Sequence, residues 1–141
     1  MSLSIYEQYP FIIKCSILKT KHLTCKISIN GVEGLFLVDS GASNSCIEIE
    51  NEKKFKLDKY KKSYSASGAA KEKFDVLKSK IAEISHEKIV VEKLNFLLID
   101  MKPINTAINE SDSIIVDGII GADFLVKKKV VLDYKKLTMT F

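Results

Sequence analysis

The alternation of apolar and polar residues divides the chain into short β-type segments. Leu23-Thr24-Cys25-Lys26-Ile27-Ser28-Ile29 changes sign at nearly every residue, the period of a strand with one buried face. Asn30-Gly31 follows, a pair that readily takes the positive φ angles of a tight hairpin. Gly34 to Val38 predicts the returning arm, which carries Asp39 at its tip in antiparallel surroundings. Before this hairpin, Phe11 to Leu18 reads as a strand, and residues 1–10 as an arm or edge strand ended by Pro10. After it, Cys46 to Ile49 predicts a short strand. Val76 to Ile84 and Lys88 to Asp100 predict two longer ones, with the nearly all-apolar Leu94–Asp100 deeply buried. Lys129–Tyr134 and Leu137–Phe141 predict a closing hairpin across Lys135-Lys136. Ala122 to Lys127 fits a short helix that starts after Gly121. Three stretches are less regular. Residues 51–62 are charged, with Phe55, Leu57 and Tyr60 as anchors, and read equally as a helical turn or an irregular excursion. Tyr64–Ala70 is a run of small residues at a hairpin tip between strand-like 62–65 and 74–77. Met101–Ser113 is polar, contains Pro103 and reads as a surface loop with room for one helical turn. About eight short strands with one or two short helices make an all-β, barrel-like or sandwich-like class.

Composition adds limits. The chain has 141 residues, enough for one domain with its own core, so 1–141 is expected to be a single domain. Net charge is +4, and the lysines lie in short scattered runs without the signatures of DNA- or RNA-binding modules. No nucleic-acid partner is expected. The three cysteines, Cys15, Cys25 and Cys46, show no CxxC spacing, and neither His22 nor His86 has a cysteine or second histidine at ligand spacing. No metal and no cofactor is expected. A cysteine and a histidine that meet only in space stay open as a nucleophilic pair. No basic-then-apolar leader is visible, and no apolar run approaches the roughly 20 residues that span a bilayer. The expected setting is cytoplasmic, without a membrane segment.

The chemistry concentrates at Leu35-Phe36-Leu37-Val38-Asp39-Ser40-Gly41-Ala42-Ser43-Asn44. An apolar run delivers a carboxylate from a dry interior to a glycine turn. A buried carboxylate is costly unless it is paired, hydrogen-bonded or protonated, so such a group is often a working acid. Read alone, Asp39 serves as well as a strand-ending residue that caps its own turn.

The surrounding motifs shift that balance. Leu37-Val38-Asp39-Ser40-Gly41-Ala42-Ser43 resembles the active-site signature of aspartic proteases. Ile119-Ile120-Gly121-Ala122-Asp123-Phe124-Leu125 resembles the second signature of their retropepsin-like branch, two apolar residues and a glycine before a short helix and closing hairpin. The resemblance covers roughly residues 11–141. It implies an all-β, closed or partly open barrel of the retropepsin-like type. It also implies an aspartic endopeptidase in which Asp39 is catalytic and Ser40 and Gly41 support its loop. Ala42, Ser43 and Asn44, with the flap-like tip Ser67, Gly68 and Ala69, would bind an extended polypeptide substrate. Pepsin-like members carry two acid motifs in one chain. Here there is one, because Asp117-Gly118 lacks the intervening hydroxyl residue and Asp123 begins the helix. The resemblance therefore implies a homodimer with an Asp39/Asp39 dyad. The competing expectation is a dimerisation or peptide-binding module of the same fold with little or no proteolytic activity.

Overall fold

The Asn30-Gly31 hairpin organises the molecule. The computed structural model describes residues 10–60, 64–65 and 75–141. Asn30 and Gly31 take φ of 49° and 82°, the left-handed pair that matches the twist of two antiparallel strands. They join β2 (Leu23–Ile29) to β3 (Val32–Val38), which pair along their full length from Leu23↔Val38 to Ile29↔Val32. On its other side β2 pairs with β1 (Ile12–Ile17), and β1 with the last strand, β12 (Thr138–Thr140). The outer neighbour of β12 is β11 (Val131–Asp133).

On the far side of β3 lies β10 (Gly118–Ile120), parallel to it, with Ile119 opposite Leu37 and Ile120 opposite Val38. The sheet continues through β4 (Cys46–Glu48), β9 (Leu97–Ile99), β6 (Asp75–Lys78) and β5 (Tyr64–Ser65). A hairpin of β7 (Ala82–His86) and β8 (Ile89–Leu94) branches from β2. Two short helices, α1 (Lys102–Asn109) and α2 (Ala122–Lys127), and a 3-10 turn at Ile49–Asn51 complete the elements. Among the described residues the sheet does not close on itself. It is the partly open form of the all-β fold that the sequence predicts.

The unbroken apolar run of β3 has a clear physical cause: both faces of the strand are covered. Phe36 and Val38 enter the main core with Phe55, Phe96 and Phe124. Leu37 turns the other way, into a second core with Met101, Ile108, Val116 and Ile119. The neighbouring β10 divides in the same way, Ile120 to the first core and Ile119 to the second. Strands buried on both faces lose the alternation that marks a half-exposed strand.

Several elements depart from expectation. Asp39 does not sit in purely antiparallel surroundings, because β10 runs parallel to β3. The two long strands expected over 76–84 and 88–100 are each broken in two. Ser79 and Asn95 cause both breaks together. The Ser79 hydroxyl accepts the Phe96 N–H at 2.9 Å, and the Asn95 amide donates to the Ser79 carbonyl at 3.0 Å. Side chains thus take the bonds of a continuous ladder and let β9 leave β8 for β4. The loop expected at 101–113 holds a two-turn α-helix. The Asp100 carboxylate accepts the Lys102 N–H at 2.9 Å, and Pro103 stands in the first turn, where its missing N–H costs nothing. The closing hairpin turns over residues 134–137 rather than over Lys135-Lys136 alone. Asp133 accepts the N–H groups of both lysines at 2.8 and 2.9 Å, and Leu137 takes a φ of 53° in place of the usual glycine.

Candidate active site

Parallel pairing of β3 and β10 brings the two signature segments to one edge of the sheet. Beyond the Val38↔Ile120 pair, the Asp39 N–H donates to the Ile120 carbonyl at 3.0 Å. The chain then turns. The Ala42 N–H donates to the Asp39 carbonyl at 3.2 Å, and the Ala122 N–H to the Ala42 carbonyl at 2.7 Å. The Asp39 carboxylate is half-exposed and accepts the Gly41 N–H through Oδ1 at 2.8 Å. Its turn is thus tied at both ends to the strand-to-helix corner at Gly121.

Gly121 is a close-approach glycine. A Cβ there would stand 2.6 Å from the Ala42 carbonyl oxygen, closer than such atoms come. The start of β10 is tighter still, since a Cβ on Gly118 would lie 2.1 Å from the Cys46 carbonyl oxygen. Both contacts are with backbone, so no side-chain motion relieves them.

Asp123, at the start of α2, accepts both the N–H and the hydroxyl of Ser45, at 3.0 and 2.7 Å. The Ser45 hydroxyl in turn accepts the Gly121 N–H at 2.9 Å. Ser45 is fully buried. This bridge fixes the far end of the Asp39 turn to α2. Sequence reasoning passed over Ser45; its signal is a small hydroxyl residue at the junction between the polar Ser43-Asn44 and the strand-like Cys46–Ile49.

Asp117 is likewise engaged. Its carboxylate accepts the Leu35 N–H and the Asn51 amide, each at 2.9 Å, and pairs with the Lys54 ammonium at 3.0 Å. Asp117 and Asp123 are thus each engaged by several donors of their own chain, whereas Asp39 accepts the Gly41 N–H and borders a cavity.

Ser40, Gly41, Ser43 and Asn44 are exposed around Asp39, and Ala42 is half-buried. Ser67, Gly68 and Ala69 lie outside the described residues. The shoulders of their hairpin are described, with Tyr64 opposite Val76 and Ser65 opposite Asp75. Next to Asp39 opens a cavity of about 350 Å³. Leu37 and Ile119 form its floor, Thr20 and His22 one side, and Pro103, Ile104, Ala107 and Ile108 of α1 the other. That wall is held rigidly. The Asn105 amide both donates to the Val116 carbonyl and accepts its N–H, at 3.1 and 2.8 Å. Asp112 accepts the Lys19 N–H at 3.1 Å, tying the segment after α1 to the turn between β1 and β2. The α1 wall was not legible as part of the site.

Cys46 is buried behind the Asp39 turn, and burial pushes its thiol up to about 11. A thiol so placed is a poor nucleophile. Among the described residues no group of His, Cys, Asp and Glu is arranged to hold a metal ion.

Solved structures with this fold include the EIAV protease in complex with the inhibitor HBY-793. It shares 19% identity over 84% of this chain and 98% of that one, with a TM-score of 0.55. A retropepsin-like aspartic protease from Rickettsia conorii matches over 94% of this chain and 90% of that one, at 18% identity and a TM-score of 0.54. The retroviral protease-like domain of Ddi1 from Leishmania major matches over 81% and 82%, at 20% identity and a TM-score of 0.55. No curated protein matches by sequence. A family profile described as aspartyl protease matches residues 25–124, a span that holds both the Asp39-Ser40-Gly41 turn and the Ile119-Ile120-Gly121 corner, and the chain belongs to that family.

Proposed function

We propose that the protein is an aspartic endopeptidase that cleaves extended polypeptide as a homodimer, each chain supplying one Asp39. The observation that carries this reading is the placement of Asp39. It is a half-exposed carboxylate on a turn locked to Gly121, beside an apolar cavity of side-chain size, while the nearby Asp117 and Asp123 are committed elsewhere. One such acid is half of a dyad. Two carboxylates a few ångströms apart cannot both ionise cheaply, so a pair shares one proton. The ionised member takes a proton from the attacking water. The protonated member donates to the scissile carbonyl and stabilises the oxyanion as it forms. Both steps run without a covalent intermediate, so no serine, cysteine or histidine nucleophile is needed.

The remaining assignments rest on the family resemblance together with the turn. The exposed Ser40 hydroxyl would bond across the twofold axis and hold the two turns together. Gly41 leaves the approach to the carboxylate open: within 4 Å, a Cβ there would meet only Asp39 Oδ1. Ala42, Ser43 and Asn44 would bind substrate as an added strand. Ser67, Gly68 and Ala69 would close over it and exclude water. The cavity bounded by Leu37, Ile119 and α1 would take an apolar substrate side chain next to the scissile bond.

The test is cleavage of an unfolded protein substrate between about pH 3 and 7, the range in which a shared-proton pair works. Wild type should cleave, and Asp39→Asn should lose activity at least a thousandfold with an unchanged circular dichroism spectrum. A folded, dimeric wild type that cleaves nothing across this range removes the enzyme reading and leaves a peptide-binding module.

A further inference from the structure

We propose that Cys15 and Cys25 are an oxidisable thiol pair that closes to an intrachain disulfide between β1 and β2 when the protein meets a peroxide. The register places Cys15 directly opposite Cys25. The Cys15 N–H turns away from β2 and donates to the Leu137 carbonyl at 2.8 Å, whereas the Leu18 N–H points to β2 and donates to the His22 carbonyl at 2.9 Å. By the alternation of an antiparallel ladder, Cys15 and Cys25 are then a pair without mutual backbone hydrogen bonds. Such pairs hold their Cα atoms about 4.5 Å apart, inside the roughly 4.4–6.8 Å that a disulfide spans. Both side chains leave the sheet on the same face. Both are free thiols, Cys25 within the main core and Cys15 packed at its margin.

Access is unequal, which orders the steps. Cys25 is 2% exposed and belongs to the main core, while Cys15 is half-buried at the core's margin. Cys15 is therefore the residue that meets the oxidant. Its sulfur attacks one peroxide oxygen and the O–O bond breaks. The second oxygen leaves with the thiol proton as water, and Cys15 becomes a sulfenic acid. The Cys25 sulfur then attacks the Cys15 sulfur. The S–O bond breaks, and the hydroxyl leaves with the Cys25 proton as a second water. Two thiols lose two electrons and one peroxide is reduced to two waters. Burial pushes both thiols up, so closure is expected over minutes to hours rather than seconds. Cys46 has no such partner, since its cross-strand neighbours are Ile119 and Leu97.

The bond would add a covalent rung to a row that continues from Cys25 to Phe36 on β3, the strand that leads into Asp39. It would also fix β1, on which β12 rests.

The experiment treats the folded full chain with hydrogen peroxide, alkylates remaining thiols under denaturing conditions and maps tryptic peptides. Cys15–Lys19 and His22–Lys26 carry one cysteine each. Wild type should yield these two joined, with a mass lower by two hydrogens than their sum, at a yield independent of protein concentration. Cys15→Ser should abolish the joined species. In Cys25→Ala, Cys15 should accumulate as a sulfenic acid that dimedone traps. Recovery of both wild-type peptides fully alkylated would overturn the proposal. So would Cys15 ending as a sulfinic or sulfonic acid, or a link that joins two chains. These results are read from peptides and do not depend on protease activity.

Discussion

Ser45 shows how much of the site is held by a residue without chemistry of its own. Its hydroxyl stands between the Gly121 N–H and the Asp123 carboxylate, at 2.9 and 2.7 Å. In Ser45→Ala the buried Gly121 N–H loses its acceptor and the carboxylate loses a donor. A hydrogen bond to a charged group and an unsatisfied buried donor together are worth about 2–4 kcal/mol. Urea unfolding of Ser45→Ala should show a loss of that size with an unchanged m-value, and Ser45→Thr, which keeps the hydroxyl, should recover part of it. A loss under about 0.5 kcal/mol, the range of ordinary surface substitutions, would mean that the bridge carries no weight. Gly121 marks the same corner from the other side. The Cβ of an alanine would press on the Ala42 carbonyl and push the Asp39 turn off its tie to β10.

At the scale of elements, what was legible and what was not have one cause. The Asn30-Gly31 hairpin, the apolar β3 and the Gly121–α2 corner follow from local rules of turn chemistry and hydrophobic period, and each stands where the sequence puts it. The breaks at Ser79 and Asn95 depend on bonds to residues 16 or 17 positions away, which no local pattern records. The same holds for α1. Its polar composition reads as loop because only Ile104 and Ile108 face the second core. Asn105, Asp112 and Met101 fix it through Val116, Lys19 and Glu48, all outside the helix. Yet α1 supplies one wall of the cavity beside Asp39. Under the proposed function it would limit the side chain accepted there. Ala107 is exposed on that wall, so Ala107→Phe should fold normally while filling the cavity. Cleavage beside Leu, Met or Phe should then drop about tenfold or more in kcat/KM relative to cleavage beside Ala, the scale on which apolar pockets discriminate. Peptide-library profiling of the two proteins checks this, and an unchanged profile would exclude α1 as a specificity wall.

For the whole molecule, the question is where the second carboxylate comes from. The C-terminal strand is already used within the chain. Phe11 and Phe141 exchange backbone hydrogen bonds at 2.7 and 3.0 Å, and their rings stack with centroids 5.7 Å apart. Residues 138–140 are therefore not free to trade places with a copy unless β12 leaves β1. The proposed dimer would instead meet through the exposed Asp39 turn, as a self-complementary twofold contact. A dyad shared in this way makes a quantitative prediction. Asp39→Asn chains keep the fold and the contact but lack the acid, so a mixed pair has one carboxylate and no shared proton. If wild type and variant are mixed in equal amounts and allowed to exchange, random pairing leaves only about half of the wild-type chains in active pairs. Activity per wild-type chain should fall to about half, and should fall further, in proportion to the wild-type fraction, as the variant is added in excess. An enzyme that carried its whole site in one chain would show no loss at any ratio. Dilution of wild type alone gives the second reading. Specific activity should decline as pairs dissociate, in step with the dimer fraction measured by sedimentation, and a specific activity that holds constant while the protein becomes monomeric would place both halves of the chemistry within one chain.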